Sequence, residues 1–368
     1  MQNSSSKLNI AMLGQKRVPS REGGVEIVVE ELSTRMVERG HNVTLYNRRG
    51  HHVSGKEYDI QSLDNYKGVE IRTVPTIEKK GLAAASSALF AACAAAFGNY
   101  DVVHFHAEGP CFFCWIPKLF GKKVVATIHG LDWARAKWGG FASWFIKTGE
   151  KNAVKYADEI IVLSKNVQKY FKDTYNRDTA FIPNGVSMPN VIKNETEDTF
   201  ILYLGRIVPE KGIHYLIEAF IQIEDEIPDK KLIIAGGASD TDEYLTSLKE
   251  LAGDDKRIEF VGFVQGRELE ELYSNAWIYC LPSDLEGMPL SLLEAMSYDN
   301  CCIVSDIEEC TEVVEDKTII FEKGNVKDLA EKIKTADVAK YKKTAQEFIL
   351  NKYNWDDVVD KTLELYGG

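Results

Sequence analysis

The sequence predicts an α/β protein of two similar domains, on three observations. The chain has 368 residues, more than one hydrophobic core usually supports. In both halves, short β-branched segments alternate with amphipathic ones, which indicates parallel sheets covered by helices on both faces. A polar stretch at residues 187–199, which contains Pro189, separates the halves. Each half is therefore expected to form a Rossmann-like domain.

The individual elements follow from the same alternation. The strands predicted in the first half are residues 8–13, 42–46, 69–74, 102–105, 124–128 and 159–163. Those predicted in the second half are residues 200–204, 231–235, 257–261, 276–280, 301–304 and 318–321. The clearest helix is residues 25–39, whose valine, leucine and methionine side chains share one face and which Gly40 ends. The linker places the domain boundary after residue 188.

Composition and charge limit the functional classes to which this protein can belong. The apolar and charged fractions, 45% and 27%, are those of an ordinary globular protein. Residues 1–190 carry 25 Lys+Arg and 18 Asp+Glu, a net of +7, whereas residues 191–368 carry 19 and 38, a net of −19. The net charge of −12 argues against a nucleic-acid binder. A basic first half suggests an anionic partner such as a phospholipid surface, with a chance imbalance as the alternative.

The cysteines and apolar runs bear on location. Seven scattered cysteines form no disulfide framework and indicate reduced thiols in a cytosolic protein. Residues 8–13 are too short for the core of a signal peptide. Residues 82–97 are short and weakly hydrophobic for a membrane span, and we predict a helix packed on a sheet, with a membrane-facing role as the lesser alternative. A cytoplasmic protein is expected, with peripheral attachment to the inner face of the plasma membrane as an option.

A glycine pair precedes the first predicted helix. Gly23 and Gly24 allow an anion to approach the helix N-terminus closely, although a plain flexible loop would look the same. Neither half carries G-x-G-x-x-G after its first strand, which disfavours a dinucleotide-binding dehydrogenase.

The sharpest motif spans residues 286–294, after the predicted strand 276–280. Pro289 suits the start of a helix, whose free N–H groups can bind phosphate or sugar oxygens. Glu286 precedes that helix, where its carboxylate can accept hydrogen bonds from sugar hydroxyls, and Glu294 lies further in, within reach of a ribose. Capping by acidic residues is the alternative.

A cationic pair follows the predicted strand 200–204. Arg206 and Lys211 are expected at the carboxyl edge of a parallel sheet, where open α/β folds bind ligands. Together they can hold a diphosphate, with the guanidinium engaging it through two hydrogen bonds. The alternative is a solvated loop in which they pair with Glu210.

Two further motifs contain residue types that can bind a metal ion. His129 ends the predicted strand 124–128 and is placed for a cleft, while His104 and His106 have the spacing of a metal pair without an obvious third ligand. Residues 240–242 spell Asp-Thr-Asp, which we interpret as the cap and first turn of a helix at 244–251. No metal is predicted.

Together these motifs, in this order, resemble the family-four retaining glycosyltransferases of the GT-B fold over nearly the whole chain. Residues 182–186, Ile-Pro-Asn-Gly-Val, also look like that family's segment before the linker. The resemblance implies two facing Rossmann-like domains with an interdomain cleft, comprising residues 1–188 and 189–353, and a last helix within residues 354–368 that crosses back to the first domain.

The resemblance also implies roles for individual residues. His129, Arg206, Lys211 and Glu286 would act in catalysis, with His129 against the donor sugar and not a covalent nucleophile. The implied donor-binding residues are Gly23, Gly24, Arg206, Lys211, Val261, Phe263, Glu286, Gly287, Met288, Pro289, Leu290 and Glu294. The donor would be a nucleotide-diphosphate sugar, a UDP-sugar at first guess, and no cofactor is expected.

The acceptor side of the reaction rests on fewer residues. Asp132, Trp133 and Arg135 begin a stretch in which aromatic and basic side chains alternate, which suits a saccharide or a lipid-linked acceptor in polysaccharide or glycoconjugate assembly. Core packing would explain many of those aromatics. A nucleotide-sugar epimerase and a catalytically silent nucleotide-sugar-binding protein are the alternative functions.

Overall fold

The computed structural model describes residues 7–52, 55, 58–59, 63–79, 81–134, 139–195, 197–237, 242–342 and 345–367. The chain divides into two compact units, one comprising the residues up to Asn184 together with those from Trp355 onwards, the other Gly185–Asn354. The boundary between the units lies after Asn184, whereas the sequence predicted it after residue 188. The reason is that Val186 already pairs within the second unit. Its backbone N–H donates to the carbonyl oxygen of Tyr353 at 2.8 Å.

The first unit is built on one eight-stranded sheet. Its strands are β1 (Asn9–Leu13), β2 (Asn42–Arg48), β3 (Asn65–Tyr66), β4 (Val69–Val74), β5 (Val102–His106), β6 (Lys123–Ile128), β7 (Glu159–Val162) and β8 (Ala180–Phe181). The spatial order is β3-β4-β2-β1-β5-β6-β7-β8, and only the β3–β4 pair is antiparallel. Its helices are α1 (Gly24–Glu38), α2 (Leu82–Phe97), α3 (Trp115–Leu119), α4 (Gly140–Tyr156) and α5 (Lys165–Tyr175).

The alanines of α2 explain how that helix packs. Ala91, Ala92, Ala95 and Ala96 are buried in the same apolar cluster as the β1 and β5 side chains. Small side chains at this helical spacing let the helix approach the sheet closely. The predicted packing of α2 on a sheet is therefore confirmed for one face of the helix.

The second unit has a six-stranded, wholly parallel sheet. Its strands are β9 (Phe200–Leu204), β10 (Lys231–Ala235), β11 (Ile258–Gly262), β12 (Ile278–Leu281), β13 (Cys301–Ser305) and β14 (Ile319–Phe321). The order is β11-β10-β9-β12-β13-β14. The helices are α6 (Ile213–Gln222), α7 (Asp242–Ala252), α8 (Gly266–Asn275), α9 (Leu290–Ser297), α10 (Glu308–Val314), α11 (Val326–Lys334), α12 (Val338–Tyr341) and α13 (Ala345–Lys352).

The last helix, α14 (Trp355–Tyr366), belongs to the first unit. Its Asp356 and Asp360 carboxylates pair with Arg35 of α1 and with Arg39 directly after that helix, with N–O distances between 2.9 and 3.2 Å. At its other end, the Tyr366 hydroxyl lies 2.6 Å from Nδ1 of the buried His104.

The predicted α/β class with two mainly parallel sheets is confirmed, and a strand forms at each segment where one was predicted. The sequence missed β3 and β8, which are only two residues long. In the part of the chain that the structure describes, none of the helices has both the length and the apolar character needed to cross a bilayer.

Candidate active site

The sheet of the second unit changes direction between β9 and β12. From β9 the chain builds outward to β10 and β11, and from β12 it builds the other way to β13 and β14. The two strands are direct neighbours, so their carboxyl ends open a crevice where open α/β sheets bind ligands. The loops after these two strands carry the predicted cationic and acidic motifs.

Lys211 and Glu286 meet at this point. Nζ of Lys211 donates to Oε1 of Glu286, and the side chains are only 13% and 6% exposed. The same carboxylate oxygen accepts a hydrogen bond of 2.7 Å from the hydroxyl of Ser283. The alternative in which Lys211 is a solvated side chain paired with Glu210 is wrong, because the ammonium is held inside by the carboxylate that follows β12.

Backbone contacts hold the two loops together. Asp284 N–H donates to the carbonyl oxygen of Glu210 at 2.9 Å, which joins the loop after β12 to the loop after β9. Gly212 has a φ of +63°, and a Cβ there would lie 2.0 Å from the carbonyl oxygen of Pro282. Only glycine fits both the conformation and the close approach. The position of Lys211 is thus fixed by its neighbour in sequence.

Arg206 lies in the same neighbourhood. Its carbonyl oxygen accepts a 2.9 Å hydrogen bond from the hydroxyl of Tyr203. Burial, followed by the charge of Glu286, holds the pKa of Tyr203 well above its usual range, and the charge of Arg206 opposes that shift. The charges of Arg206 and Glu286 therefore both reach one buried hydroxyl. In sequence, Arg206 and Lys211 follow β9 and Glu286 follows β12.

Helix α9 begins one residue later than predicted. Pro289 is the residue before the helix, with extended backbone (φ −76°, ψ 100°), and Leu290 is the first helical residue. No side chain caps this end, so its first N–H groups are available as for any helix start. Met288 and Leu290 bury their side chains, and only the main chain of residues 287–290 is suited to ligand contact.

Glu294 is oriented by an aromatic side chain. Its Oε2 accepts a 3.0 Å hydrogen bond from the hydroxyl of Tyr273, which is itself almost completely buried. The sequence motif pointed to the carboxylate but not to the tyrosine that fixes it. Tyr273 precedes the motif by a whole strand, so no local spacing relates the two.

The remaining predicted residues of this unit lie at the sheet edge or outside the described residues. Val261 is the last residue but one of β11 and is 37% exposed, and the half-buried Phe263 follows the strand directly. Of the Asp-Thr-Asp sequence, residues 240 and 241 lie outside the described residues. Asp242 is the first residue of α7, as its predicted helical role requires.

The first unit has a matching change of direction between β1 and β5. The loop after β1 leads to α1, where Gly23 is the extended residue before the helix and Gly24 its first residue. The first turn already holds a carboxylate, because the buried Glu26 accepts a 2.8 Å hydrogen bond from the N–H of Lys16. Because Gly24 is its first residue, α1 starts one residue before the predicted start at Val25.

Three histidines form a row: His104 lies within β5, His106 ends that strand, and His129 follows β6. Nδ1 of His106 is 3.2 Å from Nε2 of His129, and the rings of His106 and His104 are 4.2 Å apart at their centroids. His104 also contacts Thr127 at 2.7 Å and Tyr366. Burial lowers the pKa of His104 to about 3 and that of His106 well below its usual range, so both rings are neutral near pH 7.

The acceptor residues predicted beside His129 are tied to two buried glutamates. Asp132 N–H donates to Glu108 at 2.8 Å, and Trp133 Nε1–H donates to Glu150 at 3.0 Å. Arg135 lies outside the described residues. Burial, then the charges of Asp132 and Glu150, hold the pKa of Glu108 far above its usual range, so it is a neutral acid.

Glu108 and Glu150 were missed by sequence reasoning. A usable signal existed for Glu150, which lies on the same helical face as the buried Ile146 and Ala153. Neither these carboxylates nor the histidines form a metal site: within the described ranges, no group of three His, Cys, Asp or Glu side chains is arranged to hold a metal ion.

Comparisons with known proteins agree with this architecture. The model of "Glycosyltransferase Family 4" matches residues 22–188, and that of "Glycosyl transferases group 1" matches residues 187–355. An uncharacterised glycosyltransferase of Methanocaldococcus jannaschii is 25% identical over 98% of each chain. The O-antigen chain mannosyltransferase RfbU of Salmonella typhimurium is 31% identical over 45% of this chain and 46% of its own.

A solved structure shares the fold over the full length. The Anabaena protein HepE, crystallised in complex with UDP and glucose, superimposes with a TM-score of 0.79 and 17% identity, covering 98% of this chain and all of its own. The two matched models together account for both units, from the start of α1 to the start of α14. This chain is therefore a GT-B glycosyltransferase of family 4, an enzyme that transfers a sugar from a nucleotide sugar.

Proposed function

We propose that this enzyme is a metal-independent retaining glycosyltransferase that uses a UDP-sugar and a saccharide or lipid-linked acceptor in polysaccharide or glycoconjugate assembly. The observation that carries the proposal is the buried Lys211–Glu286 pair at the ends of β9 and β12. The UDP found with HepE and the O-antigen activity named for RfbU support the choice of donor and pathway.

Different side chains of this crevice suit the charged and the neutral parts of the donor. The ammonium of Lys211 and the guanidinium of Arg206 suit the diphosphate, and the second oxygen of Glu286 suits sugar hydroxyls. The Glu294 carboxylate, already oriented by Tyr273, suits the ribose. The main-chain N–H groups of Gly287 and Leu290 add donors, since Pro289 between them has none. Val261 and Phe263 offer the uracil base a surface at the sheet edge.

Rupture of the bond between the sugar carbon and the phosphate oxygen leaves the bonding electron pair on the diphosphate. Fixed cations stabilise that charge as it develops, which is usually the largest catalytic contribution. Lys211 is suited to this task because its partner and Gly212 already fix its position, so little reorganisation is needed. Arg206 and Lys211 would thereby supply the charge that a divalent cation supplies in other transferases.

The first unit contributes the remaining groups of the proposed reaction. His129, Gly23 and Gly24 are proposed donor-binding residues, and Asp132, Trp133 and Arg135 are proposed for the acceptor. The imidazole of His129 can donate a hydrogen bond to a sugar hydroxyl. The proposal gives His129 no covalent role.

The experiment is a panel of nucleotide sugars incubated with the purified enzyme, with and without a lipid-linked saccharide acceptor, in the presence of EDTA. Transfer from a UDP-sugar with the α or β configuration of the donor retained, detected by NMR of the product, is the expected result. Isomerisation of the sugar without acceptor would identify an epimerase. Binding without any turnover would identify a silent binding protein, and loss of transfer in EDTA would remove metal independence.

A further inference from the structure

The exposed apolar side chains of this protein are concentrated on a short part of the chain. Of the fourteen large apolar side chains exposed among the described residues, ten lie between Ile77 and Trp144. Phe97 is 76% exposed and Leu119 73%. Scattered single residues of this kind are normal, but a concentration marks an interaction surface.

These side chains lie on three neighbouring helices of the first unit. Helix α2 packs beside α3, and α3 packs beside α4. The rings of Phe97 and Phe120 are 4.7 Å apart at their centroids. The surface, here called the α2–α4 face, comprises Phe90, Phe97, Trp115, Leu119, Phe120 and Trp144.

Charge is distributed unevenly over the α2–α4 face. Helix α2 has no charged residue in its sixteen positions, and α3 has only Lys118. On α4, Lys147, Lys151 and Lys155 are exposed and follow one another at four-residue spacing, on one side of the helix. The single acidic residue of α4, Glu150, is completely buried. The face is therefore apolar and aromatic, with a row of ammonium groups along one border.

We propose that the α2–α4 face attaches the enzyme to the surface of a bilayer that contains anionic phospholipids. Aromatic and aliphatic side chains enter the boundary between headgroups and acyl chains, and lysines at the border contact the anionic headgroups. A second copy of the chain fits less well, because a symmetric pairing would set the lysine row of one copy near that of the other. The attachment goes beyond the transfer reaction and is measurable without donor or acceptor.

The first test measures binding to vesicles by co-sedimentation of the full-length enzyme. Vesicles of phosphatidylcholine with phosphatidylglycerol are compared with vesicles of phosphatidylcholine alone. The triple variant Phe97→Ser, Leu119→Ser, Phe120→Ser is expected to bind the anionic vesicles at least about tenfold more weakly than the native enzyme. The matched control, Met188→Ser, Val191→Ser, Leu251→Ser, removes three exposed apolar side chains from the second unit and is expected to bind like the native enzyme.

Equal binding by the two variants would overturn the assignment of the face, and absence of native binding at low salt would overturn the proposal altogether. Should the triple variant melt at a lower temperature than the control, Leu119→Ser alone replaces it, since that side chain is largely exposed.

The second test reverses charge. The variant Lys147→Glu, Lys151→Glu, Lys155→Glu is expected to lose the preference for anionic vesicles, whereas Lys249→Glu, Lys256→Glu, Lys327→Glu, with the same change of net charge in the second unit, keeps it. A preference that survives the α4 substitutions contradicts the role of the lysine row. Sedimentation velocity in detergent-free buffer tests the remaining alternative. If the native enzyme is a dimer and the triple variant with Phe97→Ser is a monomer, a second copy of the chain covers the face and the proposal is wrong.

Discussion

The two sheet crevices of this enzyme are built with opposite electrostatics. In the second unit Lys211 and Glu286 form an ion pair, with a small part of each side chain still exposed. In the first unit His104, His106 and Glu108, at the corresponding place, are completely buried and neutral. The comparison teaches that one crevice is prepared to meet a charged ligand, whereas the other positions neutral hydrogen-bonding groups.

The largest effect is expected from the charged crevice. Lys211→Ala and Glu286→Ala are each expected to reduce transfer by about 100-fold to 1,000-fold, because a charge aimed at the departing diphosphate, or the carboxylate that orients it, is lost. The measurement is kcat/KM with the donor found in the panel, together with the melting temperature.

The matched control is the exposed ion pair of the same unit. Lys231 and Glu259 are 2.8 Å apart and well exposed, so Lys231→Ala and Glu259→Ala should leave kcat/KM unchanged. Near-native turnover in both Lys211→Ala and Glu286→Ala would refute the site.

The neutral crevice is expected to respond in stability instead. Glu150 accepts hydrogen bonds from Trp133, Tyr170 and Tyr175, and an amide at this place offers only one acceptor oxygen. Glu150→Gln is therefore expected to lower the free energy of unfolding by about 3 kcal/mol. Glu108→Gln replaces an acid that is already neutral, and its effect near pH 7 is expected to stay within about 1 kcal/mol.

The two glutamine variants also separate in their pH dependence. The folded-state pKa of Glu108 is raised, so its contribution is fully present below the unfolded value near 4.5 and is lost as the pH rises towards the folded one. Native stability should fall with rising pH in this window, and Glu108→Gln should flatten the decline. Chemical denaturation at several pH values measures this, and an unchanged slope would show that Glu108 is ionised in the folded protein.

The smallest effect on transfer is expected at the far end of the histidine row. Tyr366→Phe removes the hydroxyl bonded to His104 without opening a cavity, and about 1–2 kcal/mol of stability should be lost. Transfer should change little, because His104 contacts His106, which in turn contacts His129. A loss of kcat/KM as large as that of Lys211→Ala would mean that the row takes part in the chemistry.

The sequence predicted the architecture well because its signals are periodic. Alternation of strands and helices revealed both sheets, and only the two-residue strands β3 and β8 were missed, since such short segments have no period. The ends of β9 and β12 were predicted to carry the site because parallel strands present their carboxyl ends at one edge. That Lys211 and Glu286 bond directly, 75 positions apart, is a tertiary fact that no spacing encodes.

The histidines show where sequence reasoning ends. The spacing of His104 and His106 suggested a metal pair or a strand alternation, and the structure shows instead a row that His129 joins, because β6 lies beside β5. The apolar surface was hidden for a similar reason. The alanines of α2 predicted packing on a sheet, which one face performs, while Phe90 and Phe97 point the other way.

The position of α14 has a consequence for how the protein is made. The helix that closes the first unit follows every element of the second unit in the sequence. During synthesis, the eight-stranded sheet must therefore wait, with Arg35, Arg39 and His104 lacking their partners on α14, until the ribosome has released that helix. The second unit, continuous in sequence, can finish folding first.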